Sequence, residues 1–100
     1  MAEKVGIVLG RHPSKRFFKA PVGAVVVDAE KLSSVCPELT AAQMLEQFGC
    51  KEIILFACVF HNMCYSEHVE THFRRITVPV YQTIVGSGVN LPLKELKDYI

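Results

Sequence analysis

The longest uninterrupted apolar run in this chain extends from Ile53 to Phe60 and reads Ile-Ile-Leu-Phe-Ala-Cys-Val-Phe. A strand that is apolar at every position, rather than at every second one, is typical of a parallel sheet covered on both faces. We therefore predict a central strand over Lys51 to Val59. Shorter runs rich in β-branched residues predict three further strands, at Lys4 to Gly10, Val22 to Val27 and Thr77 to Val85.

Between the second and third predicted strands the apolar spacing becomes helical, at Leu39, Ala42, Leu45 and Phe48. Pro37 suits the first position of a helix, and Gly49 suits a left-handed C-cap. These residues predict a helix that begins after Cys36 and ends at Phe48.

Two shorter helices are expected later in the chain. Val69 and Phe73 lie four residues apart, which predicts a short helix from Ser66 to about Arg75 with Ser66 as its cap. A last helix is expected from Pro92, with Leu93, Leu96 and Ile100 buried.

The resulting order, β-β-α-β-α-β-α, favours an α/β architecture. We predict a single small three-layer domain over residues 1–100, with a four-stranded, mostly parallel sheet that is flavodoxin-like in outline. The connection from Arg11 to Pro21 is near the lower length limit for a parallel crossover and shows no helical period. The sequence therefore leaves the relative direction of the first two strands open.

The charge balance and length restrict the classes of partner. The chain has eleven Lys and Arg residues and ten Asp and Glu residues, which gives a formal net charge of +1. This balance argues against general binding to nucleic acid or anionic membranes. The longest apolar run is far short of the roughly 20 residues of a membrane helix, and the N-terminus lacks a signal-peptide pattern. We expect a cytoplasmic protein with reduced thiols. Because 100 residues supply a thin core, a homodimer or a bound metal would add stability.

The most informative feature for function is a crowding of cysteine and histidine. The chain has four cysteines and four histidines, and five of these eight lie within residues 58–72, where the central strand ends and the next helix begins. Ligands of open α/β sheets bind at this edge, beyond the carboxyl ends of the strands. Thiolate and imidazole together suit zinc.

A zinc site would draw its ligands from Cys58, His61, Cys64, His68 and Cys36. The first three are spaced three residues apart, so one loop could wrap an ion. His68 and His72 are four apart on one helix face, and His68 is the nearer fourth ligand. Cys36, at a helix N-terminus expected at the same edge, is the alternative fourth ligand.

Two other functions compete with metal binding. A helix N-terminus lowers the pKa of a thiol, so Cys36 or Cys58 could act as a thiolate in a redox or transfer enzyme. The chain could also be a protein-interaction module in which the cysteines are small buried side chains and the histidines are solvated. Whether it is an enzyme stays open, whereas Cys50, at the other end of the sheet, is expected to be structural.

A basic loop follows the first predicted strand. Arg11, Lys15, Arg16 and Lys19 lie within nine residues, and a basic loop at a strand's carboxyl end could hold a small anionic ligand. It lacks the glycines and the Lys-Ser/Thr pair of a phosphate-binding P-loop.

Several short motifs occur in the order found in one known family. They are Lys4 to Val8, the Cys36-Pro37 pair that opens a helix, Gly49 to Cys58, a later Cys64, and Val78 to Tyr81. In this respect the chain resembles CGGC-domain proteins, small domains rich in cysteine and histidine that are suspected of binding zinc. The resemblance covers about Lys4 to Val85 and implies a metal site. Where the family has Cys-Gly-Gly-Cys, however, this chain reads Ser33-Ser34-Val35-Cys36, so His61 or His68 would have to replace the first cysteine.

Overall fold

The computed structural model describes residues 4–12, 14–34, 36–57, 67–83 and 91–99. Its four strands form one sheet in the order β2-β1-β3-β4. Their bounds are β1 Val5–Leu9, β2 Val25–Asp28, β3 Glu52–Phe56 and β4 Val80–Gln82. All neighbouring pairs are parallel, including β1 and β2, in which Gly6 lies opposite Val25. The predicted α/β class is confirmed, and the direction left open for the first two strands is parallel.

The predicted central helix is confirmed as α1, Pro37–Phe48. Gly49 ends it in the left-handed region at φ 90°, where its N–H donates to the carbonyls of Glu46 and Leu45. One side of the helix is buried against the sheet, at Ala41, Ala42 and Leu45. Burial explains the apolar spacing at Ala42 and Leu45, whereas Phe48 is exposed.

The two faces of the sheet carry separate apolar clusters. On one face Val8, Ile53 and Leu55 pack with Leu45 of α1 and with Phe73 of the second helix, α2, Glu67–Arg74. On the opposite face Ile7, Ile54 and Phe56 pack with Tyr99, and Phe18 packs against them. This face is covered by a loop and by a 3-10 turn, Leu96–Tyr99. A hydrogen bond joins the loop to the turn, because the backbone N–H of Lys19 donates to the carbonyl of Tyr99 at 2.7 Å.

The prediction of a last α-helix from Pro92 is wrong. Only a 3-10 turn forms there, over Leu96–Tyr99, and Leu93 is 56% exposed. The backbone before the turn bonds to the end of β4, because the Gln82 N–H donates to the carbonyl of Pro92 and the Lys94 N–H donates to the carbonyl of Gln82. A segment whose backbone groups pair with a strand cannot use them in a helix.

Two strands begin later than the sequence predicts. A turn precedes β2, with Gly23 at φ 82° and the Ala24 N–H donating to the carbonyl of Pro21. β4 begins only after Pro79, whose carbonyl accepts from the N–H of Ile53 and which has no N–H of its own to donate. Within the described ranges, no helix is both long enough and apolar enough to cross a membrane.

Candidate functional site

Buried polar side chains gather at the edge of the sheet where the strands end, which we call the carboxyl edge. Those in the described part of the chain are His12, Glu38, Gln82 and Thr83. His12 follows β1, Glu38 lies in the first turn of α1, and Gln82 and Thr83 lie at the end of β4. Two of them are satisfied by backbone carbonyls, because Gln82 Nε2 donates to the carbonyl of Leu91 and Thr83 Oγ1 donates to that of Leu55. Parallel α/β sheets bind ligands at this edge.

The thiol of Cys36 is oxidised. Cys36 is disulfide-bonded. Cys36 is the N-cap of α1, although its side chain makes no capping hydrogen bond. The expectation that the cysteines are reduced is therefore wrong for Cys36.

Cys50 has the opposite character. It is a free cysteine, 2% exposed, at the amino edge of the sheet between α1 and β3. Burial raises the pKa of its thiol, and the positive charge of Lys4 opposes this only in part. A neutral buried thiol is a poor nucleophile, which agrees with the structural role expected from the sequence.

The first turn of α1 packs closely against the loop that follows β1. A Cβ built on Gly10 would lie 2.9 Å from the Cβ of Ala57 and 3.8 Å from the Cγ of Glu38. No real Cβ makes the first of these contacts without a shift. Gly10 thus allows three segments of the carboxyl edge to approach one another, namely the ends of β1 and β3 and the start of α1.

His12 lies at the same edge but on the other face of the sheet. Its ring stacks on Phe56, the last residue of β3, with centroids 4.3 Å apart and the planes 30° apart. The backbone N–H of Ser14 donates to its Nδ1 at 3.0 Å. Nδ1 is therefore an acceptor without a proton, and in the neutral ring the proton is on Nε2.

The Nε2–H group of His12 is buried and has no hydrogen-bond partner among the residues that the structure describes. His12 is only 9% exposed, and burial lowers its pKa from the ordinary histidine value. An unsatisfied buried donor costs about 1–3 kcal/mol. His12 was not among the predicted site residues, although a histidine that closely follows the end of a buried strand is a recognisable signal.

The predicted zinc ligands are only partly described. Cys58, His61 and Cys64 lie outside the described residues, and His68 lies on α2 with its side chain not described. Cys36, whose sulfur is in a disulfide, does not fit a thiolate ligand in this state. The residues that the structure describes contain no group of three or more His, Cys, Asp or Glu that could hold a metal ion.

Of the four cations of the basic loop, Lys15 is paired with carboxylates. The Nζ of Lys15 lies 2.6 Å from Glu30 Oε1 and 3.4 Å from Asp28 Oδ1. The hydrogen bond to Glu30, reinforced by the charge of Asp28, raises the pKa of Lys15. The guanidinium of Arg16 lies over the ring of its neighbour Phe17. Arg11, Arg16 and Lys19 are the exposed cations of this loop.

A shallow apolar groove lies between α1 and the edge strand β2. Its volume is about 380 Å³, and it is lined by Val25, Val27, Met44, Leu45, Gln47 and Phe48. Phe48 is 65% exposed there. Nothing in the structure shows what covers the groove, so the homodimer expected from the thin core stays a prediction.

The fold and the edge together define a small α/β domain with a parallel sheet and a polar carboxyl edge. No family model, curated protein or solved structure matches the chain. The resemblance to CGGC-domain proteins therefore stays a prediction. Four cysteines in 100 residues are also too few for a cysteine-rich composition.

Proposed function

We propose that this protein acts through thiol–disulfide chemistry at the carboxyl edge, with Cys36 as one member of a redox pair. The observation that carries this proposal is that Cys36 is in a disulfide at the N-terminus of a 12-residue helix. In reducing compartments, disulfides are usually transient and serve catalysis or redox sensing. Together with the cytoplasmic location expected from the sequence, an oxidised Cys36 therefore favours a functional role.

The local structure suits Cys36 to this role. The positive end of the α1 dipole stabilises a negative charge at the helix start, so it favours the Cys36 thiolate over the thiol. A stabilised thiolate is a good leaving group when its disulfide is attacked. Cys50 has a buried, neutral thiol and lacks these properties.

The reaction is a two-electron exchange with a thiol reductant, either a small thiol or a protein dithiol. A reductant thiolate attacks one sulfur of the protein disulfide, and the other sulfur leaves as a thiolate and takes up a proton. A second reductant thiolate then attacks the reductant's sulfur in the mixed disulfide, and the remaining protein sulfur leaves as a thiolate and takes up a proton. In total, two thiols are oxidised to one disulfide and the protein disulfide is reduced to two thiols.

Differential alkylation tests the proposal. Free thiols of the purified protein are blocked with one reagent, the protein is treated with reduced glutathione, and newly exposed thiols are labelled with a second reagent. Peptide mass spectrometry should find the second label at Cys36. Treatment with oxidised glutathione before labelling should restore the disulfide and prevent this label. Cys50 serves as the internal control, since it should give no glutathione-dependent label at any stage. A Cys36 that is already reduced at the start, or that glutathione never reduces, would contradict the proposal.

Zinc binding is a second candidate, favoured by the five cysteine and histidine residues within residues 58–72. Cys58, His61, Cys64 and either His68 or Cys36 would be the ligands, with Cys36 available only after reduction. Native mass spectrometry of the reduced protein with zinc, with and without a chelator, tests this candidate. One ion per chain, lost together with stability on chelation, supports it, whereas apo protein of unchanged stability contradicts it.

A further inference from the structure

We propose that the carboxyl edge of the sheet beside β1 and β3 binds a small oxyanion, a phosphate or carboxylate group, with His12 Nε2–H as its hydrogen-bond donor. The site lies on the face of the sheet opposite Cys36. His12 stacks on Phe56, which belongs to the apolar cluster on the face opposite α1, whereas Cys36 packs against the cluster on the α1 face.

The strand order places a topological switch point between β1 and β3. In the order β2-β1-β3-β4 the chain leaves β1 toward one side of the sheet and leaves β3 toward the other. The connections therefore diverge between β1 and β3, and such a switch point is where open parallel sheets bind ligands. His12 lies there because it follows β1 in the chain and stacks on the last residue of β3.

The unpaired donor is an independent observation for the same place. His12 is more than nine-tenths buried, and its Nε2 has no partner although Nδ1 is held by the Ser14 N–H. Unpaired buried donors are rare, and each calls for an explanation such as an absent ligand or ion. Because Nε2 carries the proton, the missing partner is an acceptor and not a metal cation.

The surroundings favour an anionic acceptor over a neutral one. Arg11, next to His12, and Lys19 are exposed cations on the same loop, while Lys15 is occupied by Asp28 and Glu30. Burial lowers the pKa of His12, so the ring is a neutral donor at neutral pH. The loop cations add long-range attraction, and the buried N–H fixes where the oxygen binds.

The test uses the oxidised protein at pH 7.5, with phosphate and acetate as probes and chloride at equal ionic strength as the control. Nitrogen-15 NMR follows the His12 imidazole during each titration. We expect the Nε2–H resonance to shift and its exchange with water to slow with phosphate, with acetate or with both, and to stay unchanged with chloride. The more effective probe identifies the phosphate or carboxylate source. No shift with either oxyanion would overturn the proposal.

Two variants distinguish the contribution of the His12 donor to oxyanion binding from that of the loop charges. His12→Phe keeps an aromatic ring on Phe56 but removes the N–H, and it should weaken oxyanion binding about tenfold or more. Arg11→Gln should weaken binding less and make it less dependent on salt. Equal affinity in wild type and His12→Phe would overturn the proposal. If His12→Phe does not fold, the wild-type NMR titration decides the question alone.

Discussion

The ring of His12 stacks on the ring of Phe56, with their centroids 4.3 Å apart. This contact joins the loop after β1 to the last residue of β3 across the carboxyl edge of the sheet. It also holds a polar ring in an apolar cluster that includes Phe18, whose ring centroid is 5.0 Å from that of Phe56. A histidine in such surroundings is stable only when it is neutral.

Stability should therefore fall when His12 is forced to take up a proton. Its pKa is lowered in the folded state, so the unfolded chain binds more protons as the pH falls below about 6.5, the ordinary histidine pKa. Protonation at Nδ1 also breaks the hydrogen bond from Ser14. Urea denaturation of the wild type should give a free energy of unfolding that decreases as the pH falls from 7 to 5.

His12→Phe is the matched control variant for this prediction, because it removes the titration of His12 and keeps the other three histidines. The decrease between pH 7 and pH 5 should be smaller in His12→Phe than in the wild type. Parallel pH profiles for the two proteins would show that His12 titrates normally in the folded state and would contradict the prediction.

Gly10 should tolerate no side chain. In Gly10→Ala the new Cβ would meet the Cβ of Ala57 at 2.9 Å, and such overpacking typically costs about 1–3 kcal/mol. Gly10→Ala should lower the thermal midpoint measured by circular dichroism. In the double variant Gly10→Ala/Ala57→Gly the conflicting methyl is removed, so part of the loss should be recovered. A double variant less stable than Gly10→Ala would contradict the contact.

Replacing Cys36 should reduce stability only under oxidising conditions. Cys36→Ser removes the disulfide, and a loss of about 2–4 kcal/mol is typical of such a change. In excess dithiothreitol the wild type loses the same bond, so the difference between the two proteins should become much smaller. Urea denaturation with and without reductant measures both values.

Cys50→Ala provides the control for this comparison. Cys50 is a free thiol in the core, so its replacement should change stability by the same amount with and without reductant. If Cys36→Ser behaves in the same way as Cys50→Ala, Cys36 is not held in a disulfide.

Periodicity predicted the elements whose residues pack on the sheet. The helix ending at Phe48, the glycine C-cap and the buried strands at Ile7 and Ile54 all follow from local patterns. The last helix was mispredicted because Pro92 and Lys94 use their backbone groups to pair with Gln82, and a local pattern does not contain that tertiary contact.

The candidate site was predictable in its position but not in its chemistry. The sequence identified the carboxyl edge and selected Cys36, because the end of a strand and the start of a helix are local features. It could not show that the Cys36 sulfur is bonded, since a disulfide depends on residues distant in the chain. It also overlooked His12, because an unpaired Nε2 and a stack on Phe56 exist only in the folded protein.

The reduction potential of the Cys36 disulfide tests the central proposal most directly. The protein is equilibrated with glutathione or dithiothreitol buffers of known potential, and the reduced fraction of Cys36 is measured by acid quenching, alkylation and mass spectrometry. Catalytic and regulatory pairs have potentials from about −270 to −120 mV, whereas structural disulfides typically lie below about −300 mV. We expect a value within the first range, and a value below about −300 mV would contradict a redox function for Cys36.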